Sequence, residues 1–112
     1  MKKIKDKNLE RILGEINTLL DKFLNQQYKL ILFGSRARGE EEEFSDVDLM
    51  VILEDEISNF QTKEKIRDTI YDFSLKSPYL FSVIIASKSL AQKRKGFLVF
   101  DSIEKEGIVI GA

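Results

Sequence analysis

The chain has 112 residues, 43% of them hydrophobic and 33% charged, with a formal net charge of −1. That is one domain over residues 1–112, large enough for a single core and too evenly charged for a general electrostatic grip on nucleic acid, whose binding domains carry a clear basic excess. The absence of cysteine and histidine excludes disulfides, Cys/His zinc centres and every catalytic triad or base built on thiolate or imidazole.

The basic start Met1-Lys2-Lys3-Ile4-Lys5 is not followed by the apolar stretch of a signal peptide. The longest unbroken apolar run, Leu49 to Leu53, is far short of the roughly 20 residues of a membrane span. A soluble, cytoplasmic protein is the expectation. Leu9, Ile12, Leu13, Ile16, Leu20 and Phe23 recur at three- and four-residue spacing with polar residues between them, which predicts an amphipathic helix whose stripe is core. Asn25-Gln26-Gln27 ends it. Tyr28 to Phe33 and Val47 to Leu53 read as buried strands, short apolar runs bounded by turn residues.

Between those strands lies Gly34-Ser35-Arg36-Ala37-Arg38-Gly39, followed by the acidic run Glu40 to Glu43, expected to point away from any anion, and by Asp46-Val47-Asp48. Side chains at i and i+2 of a strand share a face, so Asp46 and Asp48 project together. Adjacent carboxylates raise each other's pKa unless a cation sits between them. Hard oxygen ligands favour Mg²⁺, which keeps several waters and takes further ligands from substrate phosphates. The loop offers the complementary half: Gly34 opens a backbone conformation closed to other residues, Ser35 offers a hydroxyl and an amide, and Arg36 and Arg38 offer forked donors for phosphate oxygens. A helix starting after Ser35 would aim its leading N–H groups at the same anion. A nucleoside triphosphate with Mg²⁺ fits this arrangement. Gly34 and Gly39 have the spacing of a Walker A motif, but Glu40 stands where its lysine belongs, which rejects a P-loop NTPase.

Further along, Ser58-x-x-Gln61 has the form of a capping box and predicts a helix from about Asn59, with Ile66, Ile70 and Phe73 on its buried face and a break at Pro78. Tyr79 to Ala86 reads as a third strand, with Leu80, Ser82 and Ile84 on one face and Phe81, Val83 and Ile85 on the other. Ser87 or Ser89 caps a short helix that ends near Gly96, where Lys93-Arg94-Lys95 reads as a solvated helix end. A last helix over about Phe97 to Glu106 stops at Gly107, and Ile108-Val109-Ile110 forms an edge strand or meets a partner. The fold class is α/β in the broad sense, a small mixed sheet of three or four strands with helices packed on it.

Gly34-Ser35, ten intervening residues and Asp46-Val47-Asp48 resemble the signature of the DNA polymerase β-like nucleotidyltransferase superfamily. The loop wording and the one-domain format resemble its smallest branch, the minimal nucleotidyltransferases. The resemblance implies a polymerase β-like palm fold in which Asp46 and Asp48 hold one or two Mg²⁺ ions, Gly34 and Ser35 cradle the phosphates, and Arg36 or Arg38 adds positive charge. It implies transfer of an NMP, AMP from ATP in the first instance, onto an acceptor hydroxyl. It further implies an antitoxin paired with a helical HEPN-type toxin as partner protein, and it leaves a homo-oligomer open. Family members carry a third carboxylate on a later strand; here Ser82 stands where that acid is expected, and Asp55, Asp72 or Asp101 are the spatial substitutes to look for. The second reading is therefore a catalytically weakened or inactive nucleotide-binding module that neutralises its partner by contact.

Overall fold

The computed structural model describes residues 4–39, 46–93, 103 and 105–111. Helix α1 (Lys7–Leu24) begins where Asp6 caps it, its carboxylate accepting from the N–H groups of Asn8 and Leu9. The helix ends at Asn25 and Gln26, both in the left-handed region (φ 52° and 65°). Leu9, Ile12, Leu13, Ile16 and Leu20 are buried, so the amphipathic stripe is core. Each such side chain contributes about 1.5–3 kcal/mol of transfer free energy.

Strands β1 (Tyr28–Phe33) and β2 (Val47–Leu53) keep the predicted limits and pair antiparallel, with Tyr28 opposite Leu53 and Phe33 opposite Asp48. A single helical turn, α2 (Ser35–Arg38), follows β1 directly. After β2 a 3₁₀ turn at Asp55–Ile57 leads into α3 (Phe60–Lys76). Its cap is Asn59, whose side chain accepts from the Thr62 N–H. Ser58 was the expected capping-box residue; it instead closes the preceding 3₁₀ turn by donating its N–H to Asp55 O.

Strand β3 (Phe81–Ser87) starts two residues later than expected, because Tyr79 is buried against the α1 end of the core rather than laid into the ladder. It runs parallel to β2, with Asp48 opposite Ser82 and Leu53 opposite Ser87. Helix α4 (Lys88–Lys93) follows, with Ser87 Oγ accepting from the Leu90 N–H. The apolar segment before the C-terminal alanine is an edge strand, β4 (Ile108–Gly111), antiparallel to β1. The sheet order is β3-β2-β1-β4, a mixed four-stranded sheet with helices, as the α/β reading required. Most of the helix expected over Phe97–Glu106, the Arg94-Lys95 part of the basic triplet and the acidic run Glu40–Glu43 lie outside the described residues. Among the described residues no helix is long and apolar enough to cross a membrane.

The two faces of the sheet differ. Leu30, Leu32, Leu49, Val51 and Leu53 are buried against α1 and α3 in the main core. On the reverse face Ile31 and Met50 form a smaller cluster with Ile103, flanked by Phe33 and Ile52. Asp48, two residues before Met50, shares this reverse face. The alternation of β2 thus places one carboxylate at the end of a strand whose other residues are apolar.

Candidate nucleotide and metal site

The site is assembled where β1 ends and β2 begins. Gly34 leaves β1 at φ 77°, ψ −159°, a conformation essentially reserved for glycine. A Cβ there would overlap Asp48 Oδ2 and come within 3.3 Å of its Cγ. Glycine is therefore required twice, for the dihedral and for the space the carboxylate occupies. The loop and the aspartate pair, separate in sequence, touch because Phe33 and Asp48 are cross-strand partners.

From Gly34 the backbone turns at once into α2, with Ala37 and Arg38 donating to Gly34 O at 3.1 and 3.2 Å. Gly39 closes the turn in the left-handed region, its N–H on Ser35 O. The leading N–H groups of a helical turn point outward along its axis rather than at the turn's own carbonyls. Asp46 is exposed immediately ahead of β2, and Asp48 is half-buried. Burial pushes the Asp48 carboxyl above the usual carboxylate range, the neighbouring Asp46 pushes it further, and Arg38 opposes both. The two carboxylates are thus close enough to repel, the condition a divalent cation relieves.

The two arginines of the loop are not equivalent. Arg38 is solvent-exposed, acts on Asp48 through its charge and ion-pairs with Glu106 at 3.2 Å. Arg36 is only 7% exposed. Its guanidinium lies 3.6 Å from Asp6 Oδ2 and 5.3 Å from the centre of the Tyr79 ring. Asp6 and Tyr79 are residues that the motif did not point to. The cap position of Asp6 was legible from the helix pattern behind it, but its pairing with a loop residue 30 positions later was not.

Ser82, exposed on β3 directly opposite Asp48, occupies the place where the family resemblance implies a third acid. Asp55 does not substitute for it. It lies beyond the far end of β2 and accepts hydrogen bonds from the N–H and hydroxyl of Ser89. Asp72 is on the exposed side of α3, paired with Lys76 at 2.6 Å, and Asp101 lies outside the described residues. Among the described residues no group of three or more His, Cys, Asp or Glu side chains converges on a metal position. Two carboxylates nonetheless fit one Mg²⁺, which characteristically takes one or two protein carboxylates and completes its octahedron with water and substrate phosphates.

A family model, "Nucleotidyltransferase domain", matches residues 9–109, nearly the whole chain and both halves of the site. The chain belongs to the nucleotidyltransferase domain family. Two relatives in Methanocaldococcus jannaschii carry a more specific description. "Putative protein adenylyltransferase MJ0141" is 34% identical over 96 residues, covering 86% of this chain and 88% of that protein. "Putative protein adenylyltransferase MJ0604" is 28% identical over 104 residues, covering 92% and 98%. Two solved structures share this fold at low identity. One is described as a "putative nucleotidyltransferase from Sulfolobus solfataricus", with TM-score 0.57, 16% identity, and 91% of this chain and 78% of that one covered. The other is a toxin-antitoxin structure with AMP-PNP, with TM-score 0.53, 18% identity, and 88% and 73% covered.

Proposed function

We propose that this nucleotidyltransferase-family protein transfers AMP from ATP, with Mg²⁺, to a hydroxyl of a partner protein in the cytoplasm. The observation that carries the reading is the close approach of Gly34 to Asp48, which makes the phosphate loop and the carboxylate pair one site. The M. jannaschii relatives, described as protein adenylyltransferases, support a protein acceptor. The likeness to a toxin-antitoxin structure with AMP-PNP agrees with a nucleotide and a toxin-like partner, of the helical HEPN type by the resemblance of the loop and aspartate motif.

In this reading Asp46 and Asp48 hold the metal, Ser35 and the leading N–H groups of α2 receive the triphosphate, and Arg38 adds positive charge at its side. Of the two arginines Arg38 suits that task better, since it is exposed and its charge acts on Asp48, whereas Arg36 is buried against Asp6 and Tyr79. Mg²⁺ supplies Lewis-acid charge to the phosphate oxygens and the leaving group. The acceptor hydroxyl oxygen forms a bond to the α-phosphorus, the bond from that phosphorus to the β-bridging oxygen breaks, pyrophosphate leaves, and the hydroxyl proton passes to solvent. Positioning and charge neutralisation suffice for such a transfer, which asks little covalent chemistry of the protein.

The test is to incubate the purified protein with α-labelled ATP and Mg²⁺, with and without a candidate toxin partner, and to measure the intact mass of both. One or more AMP units on the partner is the expected outcome. A stable complex without added mass would favour the second reading, neutralisation by contact, for which the neutral Ser82 beside Asp48 is the supporting observation. Ser82→Asp is expected to raise the initial rate of transfer by about tenfold by restoring an anionic ligand and base, worth about 1.4 kcal/mol. No gain in a folded, Mg²⁺-saturated variant would mean that the chemistry does not draw on that position.

A further inference from the structure

The nucleotide loop is tied to the body of the protein by a cluster that none of its sequence features advertises. Arg36, in the first turn after Gly34, is buried. Its Nη1 lies 3.6 Å from Asp6 Oδ2, and its guanidinium carbon lies 5.3 Å from the centre of the Tyr79 ring. Asp6 is itself immobilised: its Oδ1 accepts from the N–H groups of Asn8 and Leu9 at 3.0 and 3.1 Å. Its Oδ2 accepts from the Tyr79 hydroxyl at 2.5 Å. Asn8 Nδ2 reaches the same hydroxyl at 3.5 Å. A second tie closes the loop's other end, where Lys5 Nζ donates to Gly39 O at 3.0 Å.

A four-residue helical turn has no stability of its own, because nucleation fixes several residues for a single hydrogen bond. The geometry of Gly34 and Ser35 must therefore be imposed from outside; Ala37 seats the turn on the main core, Lys5 holds its far end, and Arg36 links it to the start of α1 and the approach to β3. A buried ion pair is a poor source of net stability, since desolvation offsets the attraction. It is a good source of position. Nucleotide phosphates require their donors to be held to within about 0.5 Å, and a displacement of about 1 Å can cost about 10²-fold in rate.

Resting on the nucleotidyl-transfer reading, we propose that Asp6 and Tyr79 are positioning residues for nucleotide binding, acting through Arg36 on the loop that abuts Asp48. They touch neither nucleotide nor metal. Two conservative variants isolate this role from fold stability. Asp6→Asn keeps an N-cap as good as aspartate and removes the charge facing Arg36. Tyr79→Phe keeps the ring over the guanidinium and removes the hydroxyl that holds Asp6.

Each variant is expected to raise the KM for Mg-ATP by about tenfold, with kcat changed by less than about threefold, a split that marks binding geometry rather than chemistry. Because both act through one side chain, their effects should not multiply, and Asp6→Asn placed in an Arg36→Met background should add nothing. Ile66→Val, which trims the main core beneath α3, should lower the melting temperature and leave KM unmoved. Folded Asp6→Asn and Tyr79→Phe proteins with the wild-type KM would overturn the proposal, as would full additivity with Arg36→Met. Amide hydrogen exchange at Ala37, Arg38 and Gly39, measured without nucleotide, separates this idea from the functional reading on which it rests. Faster exchange there in both variants supports the anchor even if ATP proves not to bind, and unchanged exchange refutes the anchor even if ATP does bind.

Discussion

Replacing Asp46 and Asp48 together by asparagine is expected to abolish nucleotidyl transfer while leaving the fold intact. The two side chains share an edge of the sheet, Asp46 is exposed, and Asp48 packs against the Gly34 backbone rather than into the main core. Asparagine keeps their volume. On the proposed reading, what is lost is the pair of anionic oxygens for Mg²⁺, worth several kcal/mol of transition-state stabilisation and hence about 10³-fold or more in rate. The melting temperature should move the other way. Burial and the charge of Asp46 raise the Asp48 pKa, so the folded chain holds that proton more tightly than the unfolded chain does. The stability this provides is present at acid pH and is lost as pH rises through the raised value. At neutral pH, in buffer free of divalent ions, the double variant should therefore melt higher than the wild type. Added Mg²⁺ should raise the melting temperature of the wild type alone, since binding to the native state stabilises by mass action. A folded double variant that still transfers AMP would remove the aspartates from the mechanism.

Gly34→Ala should damage both stability and catalysis. The backbone conformation at φ 77°, ψ −159° costs a non-glycine residue about 1–3 kcal/mol. The added Cβ would also displace the Asp48 carboxylate, whose oxygen occupies that space. A drop of about 10 °C in melting temperature is expected, at about 4–8 °C per kcal/mol, together with at least about a 10²-fold fall in kcat/KM from misplacement of the metal ligand. Gly39→Ala provides the contrast. Its φ of 74° is also left-handed, but the nearest atom to an added Cβ is the flexible Lys5 side chain at 3.0 Å. A cost of about 1 kcal/mol with little loss of catalysis is expected there. Equal effects of the two substitutions would show that Gly34 matters for its dihedral and not for its approach to Asp48.

The elements that decide the fold were legible because their patterns are unambiguous. The stripe of α1 and the limits of β1 and β2 follow from periodicity and from the turn residues around them. Ser82 stood out only through the family resemblance, which implies a third acid on that strand; that it lies directly opposite Asp48 is set by the parallel register of β3 on β2. The inequality of the loop arginines was not legible. Arg36 and Arg38 are two residues apart on a helical turn, so they point to nearly opposite sides, and only the packing of α1 and Tyr79 decides which is buried. The cap of α3 was misassigned by one residue for a related reason. Ser58 and Asn59 are both good caps, and the choice fell to the 3₁₀ turn that uses Ser58 first.

The antiparallel ladder that sets Phe33 opposite Asp48 also separates two things that the linear motif runs together. Six consecutive residue pairs hold the ends of β1 and β2 in register, so the distance from phosphate loop to carboxylate is a property of the sheet and not of the number of residues connecting them. The ten-residue spacing is a signature for recognition rather than a structural requirement. The close approach of Gly34 to Asp48 is thus inherited from strand pairing, and a substitution that shifts the register of β1 against β2 by one residue would separate them even with every letter of the motif intact.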